Sequence, residues 1–139
     1  MCLEYPLKMR NSAFMDFAYK KLGERYSPII PLKLHLGNIH VDTDALIDSG
    51  SNLSVFRLDV ALKLGLSYKS GKPFRMLSVQ GSFLVYLHVI QLSIGDSTFP
   101  CHIGFSESFT PNLNLLGRID FFDRFLITFD ERNKKVVLN

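Results

Sequence analysis

Two alternating segments joined by Gly37-Asn38 constrain this chain more than any other feature. Leu32, Leu34 and Leu36 alternate with Lys33 and His35, and Ile39, Val41 and Thr43 alternate with His40, Asp42 and Asp44. On a pleated strand successive side chains point to opposite faces, so each segment reads as a strand with one face buried. Gly37-Asn38 suits the tight turn of a hairpin. The second strand runs on into the apolar Ala45-Leu46-Ile47 and stops at Asp48-Ser49-Gly50-Ser51.

The same reading extends along the chain. Phe74 to Val79 and Phe83 to Ile94 are strands around Gln80-Gly81-Ser82, and Thr98 to Ile103 follows the Gly95-Asp96 turn. Asn112 to Leu116 is a short apolar run, Phe125, Ile127 and Phe129 alternate, and Lys135 to Leu138 closes the chain. Phe14 to Tyr19 reads as a strand, with a short helix over residues 13–22 as the competing reading. The Lys20, Lys21, Gly23, Glu24 cluster reads as a turn, and Ser27 to Pro31 as extended chain because proline disfavours helix in its predecessor. Two short helices are expected. One spans Arg57 to Leu64, with Leu58, Ala61 and Leu62 on one face and Gly65 as its stop. The other spans Arg118 to Arg124, with Ile119 and Phe122 one turn apart. Residues 1–13 show no period and read as an N-terminal extension, with residues 14–139 as a single domain. Many short strands with two short helices make a mostly-β barrel or sandwich.

Composition narrows the function. The 139 residues suffice for one domain whose core needs no metal or disulfide staple. Sixteen basic and 13 acidic residues give a net charge of +3, scattered along the chain, which does not suit nucleic acid. Cys2 and Cys101 cannot build a disulfide framework or a zinc site. His35, His40, His88 and His102 have no Cys or Glu at ligand spacing, so no metal and no cofactor are expected. Cys101 and His102 are neighbours on a strand and point apart, a poor geometry for a nucleophilic pair. Met76 to Gly95 lacks Asp, Glu, Lys and Arg, but its serines, glutamines and histidine interrupt it, so it reads as strands and not as a membrane span. The first residues contain no apolar signal core, and the expected location is cytoplasmic.

Asp48 is the residue with chemistry to explain. A carboxylate at the end of an apolar strand is costly unless it is satisfied or used. On its own, Asp-Ser-Gly is ordinary turn chemistry. Its context is more particular: Leu46-Ile47-Asp48-Ser49-Gly50-Ser51 is followed by a glycine-tipped hairpin, then by Leu115-Leu116-Gly117-Arg118 opening a short helix. This order resembles the retropepsin-like aspartic proteases over about residues 28 to 138, and Gly117-Arg118-Ile119-Asp120 with Phe121-Phe122 looks most like the cellular prokaryotic members.

The resemblance implies a closed β-barrel lobe acting as a two-fold homodimer. Such enzymes hydrolyse peptide bonds with two carboxylates ~3 Å apart that share one proton. The chain carries one Asp-Ser-Gly, so Asp48 needs the Asp48 of a second copy. Ser49 is expected to hydrogen-bond across the axis, and Gly50 to let substrate backbone approach. Asn52 stands where retroviral members carry an acid that holds substrate. Gln80, Gly81 and Ser82 match the tip of a flap over the substrate. Gly117 and Arg118 support the active-site loop, and the terminal strands help build the dimer. Ser51 is expected to donate to an outer oxygen of Asp48 and shift the activity profile towards acid. The substrate implied is a peptide or unfolded protein. Two alternatives stay open: a catalytically weak or inactive dimer that binds peptides or proteins, and a small β-barrel of unrelated function in which Asp48 is a turn residue.

Overall fold

The computed structural model describes residues 14–78, 81–109 and 111–139. The extension expected over residues 1–13 lies outside the described residues. Twelve strands follow in chain order: β1 (Met15–Ala18), β2 (Lys20–Leu22), β3 (Arg25–Ser27), β4 (Ile29–Leu36), β5 (Ile39–Ile47), β6 (Ser54–Phe56), β7 (Lys72–Ser78), β8 (Gly81–Ile94), β9 (Ser97–Phe105), β10 (Asn114–Leu116), β11 (Ile127–Asp130) and β12 (Lys135–Leu138). Helix α1 (Leu58–Lys63) and a 3-10 turn at Tyr68–Ser70 lie between β6 and β7. No helix among the described residues is long and apolar enough to cross a membrane.

The main sheet has the order β4-β5-β10-β6-β9-β8-β7, and β4 pairs in addition with β8 over Lys33–His35. The expected hairpin is β4–β5, with Leu36 opposite Ile39 and Ile29 opposite Leu46. Its alternation sends Ile30, Leu32, Leu34, Val41, Ala45 and Ile47 into the core. Around them pack Phe56, Leu92, Ile94, Phe99, Ile103, Phe105, Leu116 and Phe121. Each such side chain contributes about 1.5–3 kcal/mol by leaving water. Strand β8 does two jobs: its first half forms a hairpin with β7, and its length from Tyr86 to Ile94 pairs with β9.

Strand β10 runs parallel to β5, with Leu116 beside Ile47, and antiparallel to β6, with Leu115 opposite Val55. This places the ends of two apolar strands, Ile47-Asp48 and Leu116-Gly117, side by side. Strands β1, β12 and β11 form a separate sheet in which β12 is central.

Three local expectations change. The polar stretch after Tyr19 is a small hairpin, β2–β3, turning at Gly23 with φ of 64°. Strand β6 is absent from the expected elements; its three residues are all buried, so it shows no alternation. The helix expected over Arg118–Arg124 is irregular at its start. Ile119 is extended (φ −68°, ψ 127°) and Asp120 is left-handed (φ 72°). The Ile119 amide is drawn to the Asn52 carbonyl at 2.8 Å, which holds the chain out of helical geometry until Phe121 enters the core.

Candidate active site

Asp48 lies one residue beyond the end of β5, half-buried, and its amide donates to the Leu116 carbonyl at 2.9 Å. The chain then turns tightly. The Gly50 amide donates to Asp48 Oδ1 at 2.9 Å, and the Ser51 amide donates to the Asp48 carbonyl at 3.2 Å. A backbone donor thus orients the carboxylate, which leaves Oδ2 for other work. A Cβ at Gly50 would lie 3.2 Å from Asp48 Oδ1, so the turn is tightest where the carboxylate folds back.

The 117–119 segment holds this loop from behind. The Arg118 amide donates to the Ser51 carbonyl at 2.9 Å and the Ile119 amide to that of Asn52 at 2.8 Å. The Arg118 guanidinium donates to the Ser49 carbonyl at 3.0 Å. Three loop carbonyls, those of Ser49, Ser51 and Asn52, are therefore tied to two successive residues. Gly117 donates its amide to Ser54 Oγ at 3.0 Å, and Ser54 is fully buried. This anchoring serine sits in the short strand that alternation could not reveal.

Ser51 departs from expectation. Its hydroxyl donates to the Leu53 carbonyl at 2.6 Å and does not reach Asp48. The loop doubles back at Ser51, so the nearest acceptor for the buried hydroxyl is the carbonyl two residues on. Ser49, Gly50 and Asn52 are exposed.

Asp48 opens into a cleft of about 670 Å³. Leu53, Val55, Met76, Phe83, Phe109 and Leu115 make much of its wall. Leu53, Val55 and Val85 form a small buried cluster against which Met76, Phe83, Leu87 and Phe109 pack. Gly50, Ser51 and Asn52 also line the cleft. Gly81 and Ser82 stand at the far end of the β7–β8 hairpin, with Gly81 at φ 126°, and do not line it. Gln80 lies outside the described residues. Ile119 lines the cleft although its spacing suggested a core-facing helical residue. The extended backbone at Ile119 turns it there, and no local sequence signal announces this.

The loop after β9 is fastened to β8 at Leu84 and to the 3-10 turn at Tyr68–Ser70. Ser106 Oγ donates to the Leu84 carbonyl at 2.5 Å. Glu107 accepts from the Tyr68 hydroxyl and pairs with Lys69 Nζ at 3.1 Å. These two donors hold the Glu107 carboxyl below its ordinary range. His88 Nε2 donates to the Tyr68 carbonyl at 2.7 Å. Loop residues Ser108, Phe109 and Pro111 reach the cleft from this anchorage.

A larger, shallower groove of about 1030 Å³ lies along β4 and β5 and does not include Asp48. Its charges are neutralised by Lys33–Asp42, Lys20–Asp44 and Arg57–Asp59 pairs, so the cleft at Asp48 is the stronger candidate. Among the described residues no three His, Cys, Asp or Glu side chains gather as a metal site. Cys101 is fully buried and its thiol is pushed up to about 12 by that burial. His102 faces the other way, donating from its amide and Nδ1 to Asp120 Oδ2 at 2.7 and 2.8 Å.

The chain superposes on the crystal structure of a retropepsin-like aspartic protease from Rickettsia conorii with a TM-score of 0.64 and 16% identity, covering 91% of each chain. It also superposes on the EIAV protease complexed with the inhibitor HBY-793, with a TM-score of 0.53 and 14% identity, covering 71% of this chain and 88% of that one. No family model matches the sequence, and no curated protein matches it. The mostly-β fold is retropepsin-like.

Proposed function

We propose that this chain is an aspartic endopeptidase whose catalytic group is Asp48, paired with Asp48 of a second copy in a two-fold homodimer. The observation that carries the reading is the placement of Asp48: a carboxylate oriented by the Gly50 amide, on a loop pinned through three carbonyls, at the mouth of a largely apolar cleft. Fixed geometry of this kind lowers the cost of bringing water and a peptide carbonyl together.

Two carboxylates on the axis hold one proton between them, since like charges that close cannot both ionise. The ionised member takes a proton from water, and the resulting hydroxide oxygen attacks the scissile carbonyl carbon. The protonated member donates to the carbonyl oxygen as it gains charge. The tetrahedral intermediate collapses with the C–N bond breaking: the amine nitrogen takes the proton then on the dyad, a hydroxyl of the intermediate returns its proton to the dyad as the carboxyl product forms, and the dyad again holds one. No step requires a metal or cofactor.

Within this reading the described residues from 14 onwards form one lobe, and the β4–β8 pairing supports a closed barrel. The β7–β8 hairpin, with Gly81 and Ser82 at its far end, is the flap. Ser49, which is exposed, hydrogen-bonds in this reading to the opposite loop across the axis. Strand β12 has both edges occupied within the chain by β1 and β11, so a contact between copies from this sheet has to use the outer edge of β1 or β11. The test is dilution. Specific activity on a peptide library should fall as the protein passes below its dimer dissociation constant. Constant specific activity in a species that sediments as a monomer would contradict the reading.

A further inference from the structure

Charge is scarce in the cleft. Asp48 and Arg75 are the charged side chains among its described lining residues. Arg75 sits midway along β7, opposite Leu84, between the hairpin base at Lys72–Leu87 and its far end at Ser78–Gly81. It is exposed, and none of the ion pairs among the described residues includes it. Arg118, the other nearby cation, is turned away to the Ser49 carbonyl. Asn52, on the loop side of the cleft, is a neutral amide and offers Arg75 no counter-charge.

An arginine here has a long, adaptable stem and a guanidinium free to reach a bound chain. Its planar donors fit a carboxylate in bidentate fashion. A peptide carrying Asp or Glu within reach of Arg75 gains an ion pair beside apolar walls. A basic peptide meets a like charge and finds, among the described lining residues, no acid other than Asp48.

We infer that Arg75 is a specificity-determining residue that selects substrates with an acidic side chain flanking the apolar residues held in the cleft. This rests on the endopeptidase reading for its catalytic consequence but not for its binding consequence. Discrimination by both attraction and repulsion makes the ranking Glu, then Gln, then Lys. Partly exposed ion pairs suggest about two- to fivefold in kcat/KM between Glu and Gln, carried mainly by KM and weakened by salt.

The experiment uses a fluorogenic peptide series with an apolar core, in which Glu, Gln or Lys is placed in turn at each flanking position. Cleavage is measured with the full chain, and binding of the same peptides by anisotropy with Asp48→Asn protein. The expected result is one position at which Glu is preferred in both assays. Arg75→Gln should flatten the preference, and Arg75→Glu should reverse it towards Lys. Cleavage with no charge preference, or a preference unchanged in Arg75→Glu, overturns the inference and leaves the endopeptidase reading standing. Binding with the expected ranking but no cleavage supports the inference and removes the catalytic reading. Absence of both binding and cleavage overturns both.

Discussion

Gly117 meets the backbone of Leu53 so closely that no side chain fits: a Cβ would lie 2.5 Å from the Leu53 carbonyl carbon and 2.7 Å from the Ser51 carbonyl oxygen. The backbone of Gly117 is extended (φ −109°, ψ −170°), a conformation open to any residue, so space and not torsion demands glycine. The obstructing atoms are backbone, in the loop that carries Asp48, and cannot swing aside. Gly117→Ala should therefore destabilise the fold by about 3 kcal/mol, the upper range for overpacking. Urea or thermal unfolding of the two proteins checks this; equal stability would show that the loop yields.

Ser51→Ala should act on stability and not on the pH profile. The Ser51 hydroxyl is committed to the Leu53 carbonyl, and its loss should cost about 1 kcal/mol. The family resemblance implies the opposite, with the Ser51 hydroxyl donating to Asp48. The measurement is kcat/KM against pH for both proteins on one peptide, beside an unfolding curve. Superimposable limbs with a lower midpoint fit the structure; a shifted limb would restore contact between Ser51 and Asp48.

Glu107 should titrate below the ordinary carboxylate range because the Tyr68 hydroxyl and Lys69 hold its ionised form. The sign follows from linkage: a depressed folded pKa contributes stability above the unfolded value and loses it as pH falls through the folded value. Tyr68→Phe should move the Glu107 midpoint upward, and carbon-detected NMR titration of the carboxyl reads it directly. An unchanged midpoint would mean that the hydroxyl does not hold the loop carrying Phe109 against the 3-10 turn.

Local alternation made β4, β5 and β8 legible, because Leu34, Val41 and Leu92 repeat at the period of a pleated strand with one face buried. Asp48 and Gly117 were legible as a motif, but the reason they belong together was not. That reason is the parallel pairing of β10 with β5, a contact between distant segments that no local period encodes. Strand β6 was missed because Ser54, Val55 and Phe56 are buried on both faces. Ser54 as the partner of the Gly117 amide was lost with it. Ile119 had the spacing of a helix, and only its amide bond to Asn52 reveals why it enters the cleft instead. Phe109 arrives there from a loop whose position is set by Glu107 and Ser106, through contacts with Tyr68 and Leu84 far away in sequence.

The central claim is that Asp48 performs the chemistry. Its most direct measurement compares wild-type and Asp48→Asn proteins, purified alike and shown by sedimentation and circular dichroism to share fold and assembly, in cleavage of one peptide with products identified by mass. Asn keeps the shape of Asp but cannot take the proton from water, so hydrolysis should fall to the uncatalysed background while the dimer persists. The dimer should even tighten, as the repulsion between facing carboxylates is removed. Cleavage at the same bond by pure Asp48→Asn protein, at a rate near that of wild type, would contradict the account.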